Sequence, residues 1–201
     1  MRVTKVTPFG KRKSKVFLAE GFAFVLYKEE LCQWGIAEEE ELGDEVFKRI
    51  CREVLFPRAK EKALSLLEVQ ARTCCQIKER LLREGYPPAV TEQVAAFLTE
   101  YRLTDDLAFA RNFIAANSRS KSRRQIAWEL IQKGVGKETI SQLFEEEEPQ
   151  EEMAARRYLE KKLGGRKTMS DKEKGKLWAG LARRGFSADV IAGALRGMEE
   201  E

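Results

Sequence analysis

The sequence has 201 residues, 43% of them apolar and 35% charged, with a formal net charge of +4. That length admits one large domain or several small ones, and many charges on a modest apolar share favour small units with much surface. Histidine is absent, which removes the commonest general base and transition-metal ligand, and Cys32, Cys51, Cys74 and Cys75 form no C-x-x-C pair, so neither a zinc site nor any other cofactor is expected.

The cysteines read as small buried thiols in a reducing compartment. No stretch approaches the ~18 consecutive apolar residues a membrane span needs. The N-terminus turns basic where a cleavable leader would turn apolar. A cytoplasmic protein without a membrane partner is expected.

In chain order, MRVTKV, KVFLAE and FAFVLYKEE come first, short and β-branched or aromatic, and broken by Pro8, Gly10 and Gly21. Phe22, Phe24 and Leu26 alternate with Ala23, Val25 and Tyr27, which predicts strands with a turn at Glu20-Gly21. A sheet of two or three antiparallel strands is marginal alone and needs support from helices or a partner. The segment AEEEELGDEVFKRICREVLF then changes to helical spacing, with Val46, Ile50 and Leu55 along one side.

From about residue 57 the pattern is helical and it repeats. IKERLLREGYPPAV, IAWELIQKGVGKET and LWAGLARRGFSADV align on Gly85, Gly134 and Gly185, about fifty residues apart. Leu81, Leu130 and Leu181 stand four positions earlier, and Ile77, Ile126 and Leu177 eight earlier. Residues four apart share a helix face. A glycine takes the left-handed conformation that ends a helix at little cost. The apolar residue that follows, Tyr86, Val135 or Phe186, can fold back on the helix it leaves. Arg83, Lys133, Arg183 and Arg184 suit the negative end of the helix dipole. A second apolar face follows each stop: Val90 and Val94, Ile140 and Leu143, Val190 and Ala194. A further helix precedes each unit, near 59–70, 105–117 and 150–163, giving three units of three helices.

The adjacent Asp105 and Asp106 could hold a metal or start a helix. Thr104-Asp105-Asp106 stands where the middle unit's first helix begins, with Leu107, Ala110 and Ile114 expected along one face after it. Short oxygen-bearing side chains accept from the free amides there, a cap worth about 1 kcal/mol. Capping is the preferred reading, because no further carboxylates converge in the local spacing.

Basic residues cluster at KRKSK (11–15), between the first strands, and at RSKSRR (119–124), which holds Lys121, Arg123 and Arg124. Lys161, Lys162, Arg166 and Lys167 surround a Gly-Gly loop, and Lys78, Arg80 and Arg83 lie on one helix. Such clusters neutralise phosphates or meet an acidic protein surface. A solvated helix face is the plain alternative for any one of them. Acidic runs at 38–41 and 145–148 are expected to act as extended, solvated linkers. Trp34, Trp128 and Trp178 suggest base stacking, but Trp128 and Trp178 lie close to core positions, so packing is expected.

YRLTDDLAFARNFI followed by SRRQIAWELIQKGV resembles the RecX family of recombination regulators. The similarity rests on Leu103, Asp105, Asp106, Phe109 and Ala110, then Glu129, Leu130, Lys133, Gly134 and Val135. Arg72, Leu81, Gly85 and Tyr86 in the first unit and LARRGFSADVI in the third are similar to the family's outer repeats. The chain departs from the pattern at Thr73-Cys74-Cys75 and in lacking a glycine within RSKSRR.

The resemblance implies a mainly α fold: three tandem three-helix repeats (57–100, 101–148 and 149–201) in an elongated curved array, after a strand segment and linking helix (1–56). It implies a monomeric, non-enzymatic partner of the RecA recombinase and its DNA filament. Such a partner typically blocks ATP hydrolysis, strand exchange and filament growth in DNA repair and the SOS response. Candidate contacts to RecA or to single- or double-stranded DNA are Arg72, Lys78, Arg80, Arg83, Lys121, Arg123, Arg124, Lys161, Lys162, Arg166 and Lys167. A protein acting on bare DNA through its basic loops is the alternative. A metal-dependent nuclease using Asp105 and Asp106 is disfavoured by the missing histidine and the capping position.

Overall fold

The structure is a computed structural model that describes residues 1–21, 23–146, 150–164, 166 and 169–200. It divides into two compact units, Met1–Asp105 and Asp106–Glu201.

The first unit opens with strands β1 (Val3–Phe9), β2 (Lys13–Leu18) and β3 (Ala23–Tyr27), paired antiparallel in that order. Val16 faces Val6 on one side and Phe24 on the other. Alternation sends Ser14, Val16 and Leu18 inward, as a two-residue side-chain period requires. The turns fall at Gly10 and Gly21, and Phe22 of the predicted alternation lies outside the described residues. KRKSK is only partly a loop: Lys11 and Arg12 form the turn, whereas Lys13 and Lys15 belong to β2.

Helix α1 (Lys28–Gln33) follows, and then the acidic run 38–41 departs from expectation. It returns along β1 instead of standing free. Val3 N–H donates to the Glu40 carbonyl at 2.9 Å, Glu39 N–H to the Val3 carbonyl at 2.9 Å, and Val6 N–H to Glu38 Oε1 at 2.7 Å. The open edge of the sheet is thereby paired by a strongly charged segment, an arrangement that opposes edge-to-edge association.

Helix α2 (Asp44–Ile50) continues through a π turn (Cys51–Leu55) into α3 (Phe56–Val69). Pro57 sits in the first turn of α3, where it cannot donate to an upstream carbonyl. The wider turn just before it, where Phe56 N–H reaches back to the Cys51 carbonyl, absorbs one residue. Ile50, Leu55, Ala59 and Ala63 are therefore all buried although their spacing is five, four and four. Helices α4 (Cys74–Arg83) and α5 (Pro88–Glu100) complete the unit. One core joins Val16, Leu18, Phe24 and Leu26 of the sheet to Ile50, Leu55, Ile77, Leu81, Val94 and Leu98. The sheet gains its support at a glycine: Val25 N–H donates to the Gly85 carbonyl at 3.0 Å, and a β-carbon at Gly85 would lie 2.2 Å from Val25 Cγ2.

The second unit holds α6 (Asp106–Asn117), α7 (Arg123–Gln132) and α8 (Lys137–Glu146) around Ala110, Ile114, Ile126, Leu130 and Leu143. Then α9 (Glu151–Leu163), α10 (Asp171–Arg183) and α11 (Ala188–Glu200) close around Ala155, Leu159, Leu181, Phe186 and Ala194. Two expected core positions differ. Leu107 is 46% exposed, so α6 buries only Ala110 and Ile114. In α11 Ile191, three residues from Ala194, is the buried residue, and Val190 packs at its margin. Glu145 and Glu146 of the second acidic run end α8, and Glu147 and Glu148 lie outside the described residues.

The glycine stop is the same in all three units. Gly85, Gly134 and Gly185 take φ of +89°, +86° and +84°. Tyr86 N–H donates to the Leu81 carbonyl at 3.1 Å, Val135 N–H to Leu130 at 3.0 Å, and Phe186 N–H to Leu181 at 3.4 Å. This 6→1 bond satisfies a carbonyl that the helix end leaves open and carries the apolar side chain back onto the core.

Candidate functional site

In the second unit, the start of α7 meets the end of α10. Ser122 is buried and caps α7: its hydroxyl accepts from Gln125 N–H at 3.1 Å and donates to the Arg184 carbonyl at 2.6 Å. Arg123 N–H donates to Glu151 Oε1 at 2.8 Å. Gly185 lies against Arg124, whose Cβ and Cδ would each stand 3.0 Å from an added β-carbon. The negative end of α10 thus seats on the positive end of α7, where the two dipoles attract.

This junction gathers cations far apart in sequence. Arg123 lies over the Phe144 ring at 4.8 Å. Arg184 lies over the Tyr158 ring at 4.4 Å and donates from Nη1 to the Gly180 carbonyl at 3.0 Å. A cleft of about 630 Å³ is lined by Arg123, Arg124, Lys137 and Glu151 together with the apolar Ile140, Phe144 and Phe186. A second, of about 570 Å³, lies between Arg124, Trp128, Arg183 and Arg184. A third, of about 400 Å³, joins Arg184 to Arg157, Lys161 and Lys162. Among the described residues Arg124, Arg157, Lys161, Lys162 and Arg183 make no ion pair.

The other candidates are engaged within the protein. Lys121 pairs with Glu129 at 2.6 Å, and Arg166 with Glu173 at 3.2 Å. Lys167 lies outside the described residues. In the first unit Lys78 pairs with Glu92, Arg80 with Glu84 at 2.8 Å, and Arg83 with Glu79 at 3.2 Å. The Glu92 hydrogen bond holds the Lys78 ammonium above its ordinary range. Exposed pairs of this kind are worth about 0.2–1 kcal/mol each, so they dull the positive potential of α4 more than they stabilise it. Arg72 precedes α4, and its Nε is buried without a hydrogen-bond partner among the described residues.

Two tryptophans depart from the packing expectation. Trp128 is 62% exposed and Trp178 39% exposed. Trp128 stands two residues from both Ile126 and Leu130, about 200° around a helix of 3.6 residues per turn, which points it away from the core they form. Trp34, by contrast, packs against the first unit's core with Arg49 over its ring at 5.3 Å. Sequence reading placed Arg183 and Arg184 only as dipole partners and did not single out Arg157; their grouping depends on the α7–α10 junction.

Asp106 is the first residue of α6, so Thr104 and Asp105 precede its opening turn. Among the described residues no three histidine, cysteine, aspartate or glutamate side chains gather closely enough to hold a metal ion, and no helix is long and apolar enough to cross a membrane.

Domain profiles of RecX match the chain in series: the first three-helix domain over residues 59–98, the second over 105–143 and the third over 150–195. The chain belongs to the RecX family. It is 29% identical over 196 residues to the regulatory protein RecX of Clostridium botulinum strain Eklund 17B, covering 94% of this chain and 92% of that protein. The regulatory protein RecX of Clostridioides difficile strain 630 is 26% identical over 195 residues, with the same two shares of 94% and 92%. A crystal structure of regulatory protein RecX superposes with a TM-score of 0.61 at 23% identity over 98% of both chains. RecX from Lactobacillus salivarius gives 0.59 at 18% identity, over 73% of this chain and 97% of that one. At these identities both matches are a likeness of fold alone.

Proposed function

We propose that this RecX family member regulates recombination by binding the RecA recombinase on its DNA filament, and that it mostly inhibits ATP hydrolysis and strand exchange. The observation that carries this reading is the match of all three RecX domains in order. The surface of the second unit adds physical support. Arg124, Arg157, Lys161, Lys162 and Arg183 stand without ion pairs among the described residues, and such cations attract a polyanionic filament and orient the protein on it. The protein acts in this reading as a cytoplasmic monomer that binds and performs no chemistry. Its working repeats are 57–100, 101–148 and 149–201.

A second reading, direct action on bare DNA, is favoured by the same cations, since they would displace counterions from any phosphate backbone. Strand exchange and ATP turnover by the cognate RecA, measured with and without this protein, separate the two. Filament regulation requires inhibition at concentrations where the protein leaves bare duplex unbound. Inhibition that only tracks duplex binding, with the same steep salt dependence, supports the second reading instead.

A further inference from the structure

We infer that the cleft between α7 and the end of α10 binds single-stranded nucleic acid, with an unpaired base stacked on Trp128 and the backbone phosphates held by Arg124, Arg183 and Arg184. The indole is 62% exposed, although burying so large an apolar side chain is normally favourable. It stands one helical turn after Arg124 on α7, and both line a cleft whose other charged residues are Arg183 and Arg184. Among the described residues no carboxylate lines that cleft. The cationic lining continues past Arg184 to Arg157, Lys161 and Lys162 along α9. An aromatic platform beside a track of unpaired cations matches an extended polyanion that carries flat apolar groups. A duplex fits less well, because its bases are already stacked on one another. An acidic peptide would use the cations but has no need of the exposed ring.

This inference rests on the second reading above, contact of these cations with DNA, and deepens it by naming the strand form and the stacking residue; its test leaves the recombinase out. Full-length protein is titrated at low salt with a short oligothymidylate while tryptophan emission is followed. The wild type is expected to show quenching, and a duplex of the same length little of it. W128A should abolish most of the quenching and weaken binding about tenfold, since one stacked base contributes about that much. W128F should bind between the two, and W178F should bind like the wild type. Charge reversal at Arg183 and Arg184 should flatten the dependence of affinity on salt. Unchanged affinity in W128A, or equal quenching by duplex, overturns the inference. Polyglutamate bound as tightly as oligothymidylate, with W128A weakening both alike, overturns it in favour of an acidic protein surface. RecA inhibition is measured separately on W128A, so loss of the stacking site and loss of filament regulation are distinguishable.

Discussion

The Ser122 hydroxyl donates to the Arg184 carbonyl at 2.6 Å across 62 residues of sequence while accepting from Gln125 N–H at 3.1 Å. One buried side chain therefore caps α7, satisfies the carbonyl of the residue that follows α10 and sets Arg124 beside Arg184. Replacing it tests the junction. S122A should destabilise the protein by about 1–2 kcal/mol, from a lost cap and a carbonyl left without its donor. S122T should retain most of that. Urea unfolding followed by circular dichroism reads the difference.

Gly85 tests how the sheet is held. Its φ is +89° and an added β-carbon would meet Val25 Cγ2 at 2.2 Å, whereas Gly21, at φ +84°, has open space around it. G21A should cost only the backbone strain of about 1–2 kcal/mol. G85A should cost about 1–3 kcal/mol more, from overpacking against β3. V25A placed in the G85A background should recover part of the excess. Equal losses in G85A and G21A would show that the close approach is unimportant.

Asp105 and Asp106 stand at the start of α6. Asparagine also caps helices. The double replacement D105N/D106N should therefore change stability by less than about 1 kcal/mol and leave RecA inhibition intact. Loss of inhibition in a folded double variant would give the pair a functional role.

Burial pushes the Cys51 thiol from its ordinary value near 9.0 up to about 11. The unfolded thiol ionises first, so this contribution to stability is complete below pH about 9 and is lost as pH rises towards 11. Unfolding free energy should decline over that range, and more gently in C51A than in the wild type. Burial also raises the Tyr86 phenol to about 12, so some alkaline decline persists in C51A. Parallel pH profiles for the two proteins would contradict the account of Cys51.

The helix stops were legible because their cause is local. A leucine, a glycine four residues later and one apolar residue specify the 6→1 bond within a single stretch of chain. Most pairs on α4 were also local, since Arg80–Glu84 and Glu79–Arg83 are four residues apart, yet these cations read as a free cluster when only their sign was weighed. What stayed hidden depends on distant partners. The run 38–41 read as a linker because β1, which it covers, lies more than thirty residues earlier. Trp128 read as core because it shares a helix with Ile126 and Leu130, although two residues of offset turn it outward. The cationic surface is half visible in the sequence: Arg124, Lys161 and Lys162 stand in basic runs, but Arg183 and Arg184 join them only where the end of α10 packs against α7 and α9.

The most direct test of the central claim is ATP turnover by the cognate RecA on single-stranded DNA, titrated with this protein and with its R124E/R183E/R184E variant. The wild type should suppress turnover, and the folded variant should need at least about tenfold more protein for the same effect, the loss expected when truncation breaks contacts worth more than 1 kcal/mol each. Turnover untouched by the wild type, or suppressed equally by the variant, would contradict the claim that this surface engages the filament.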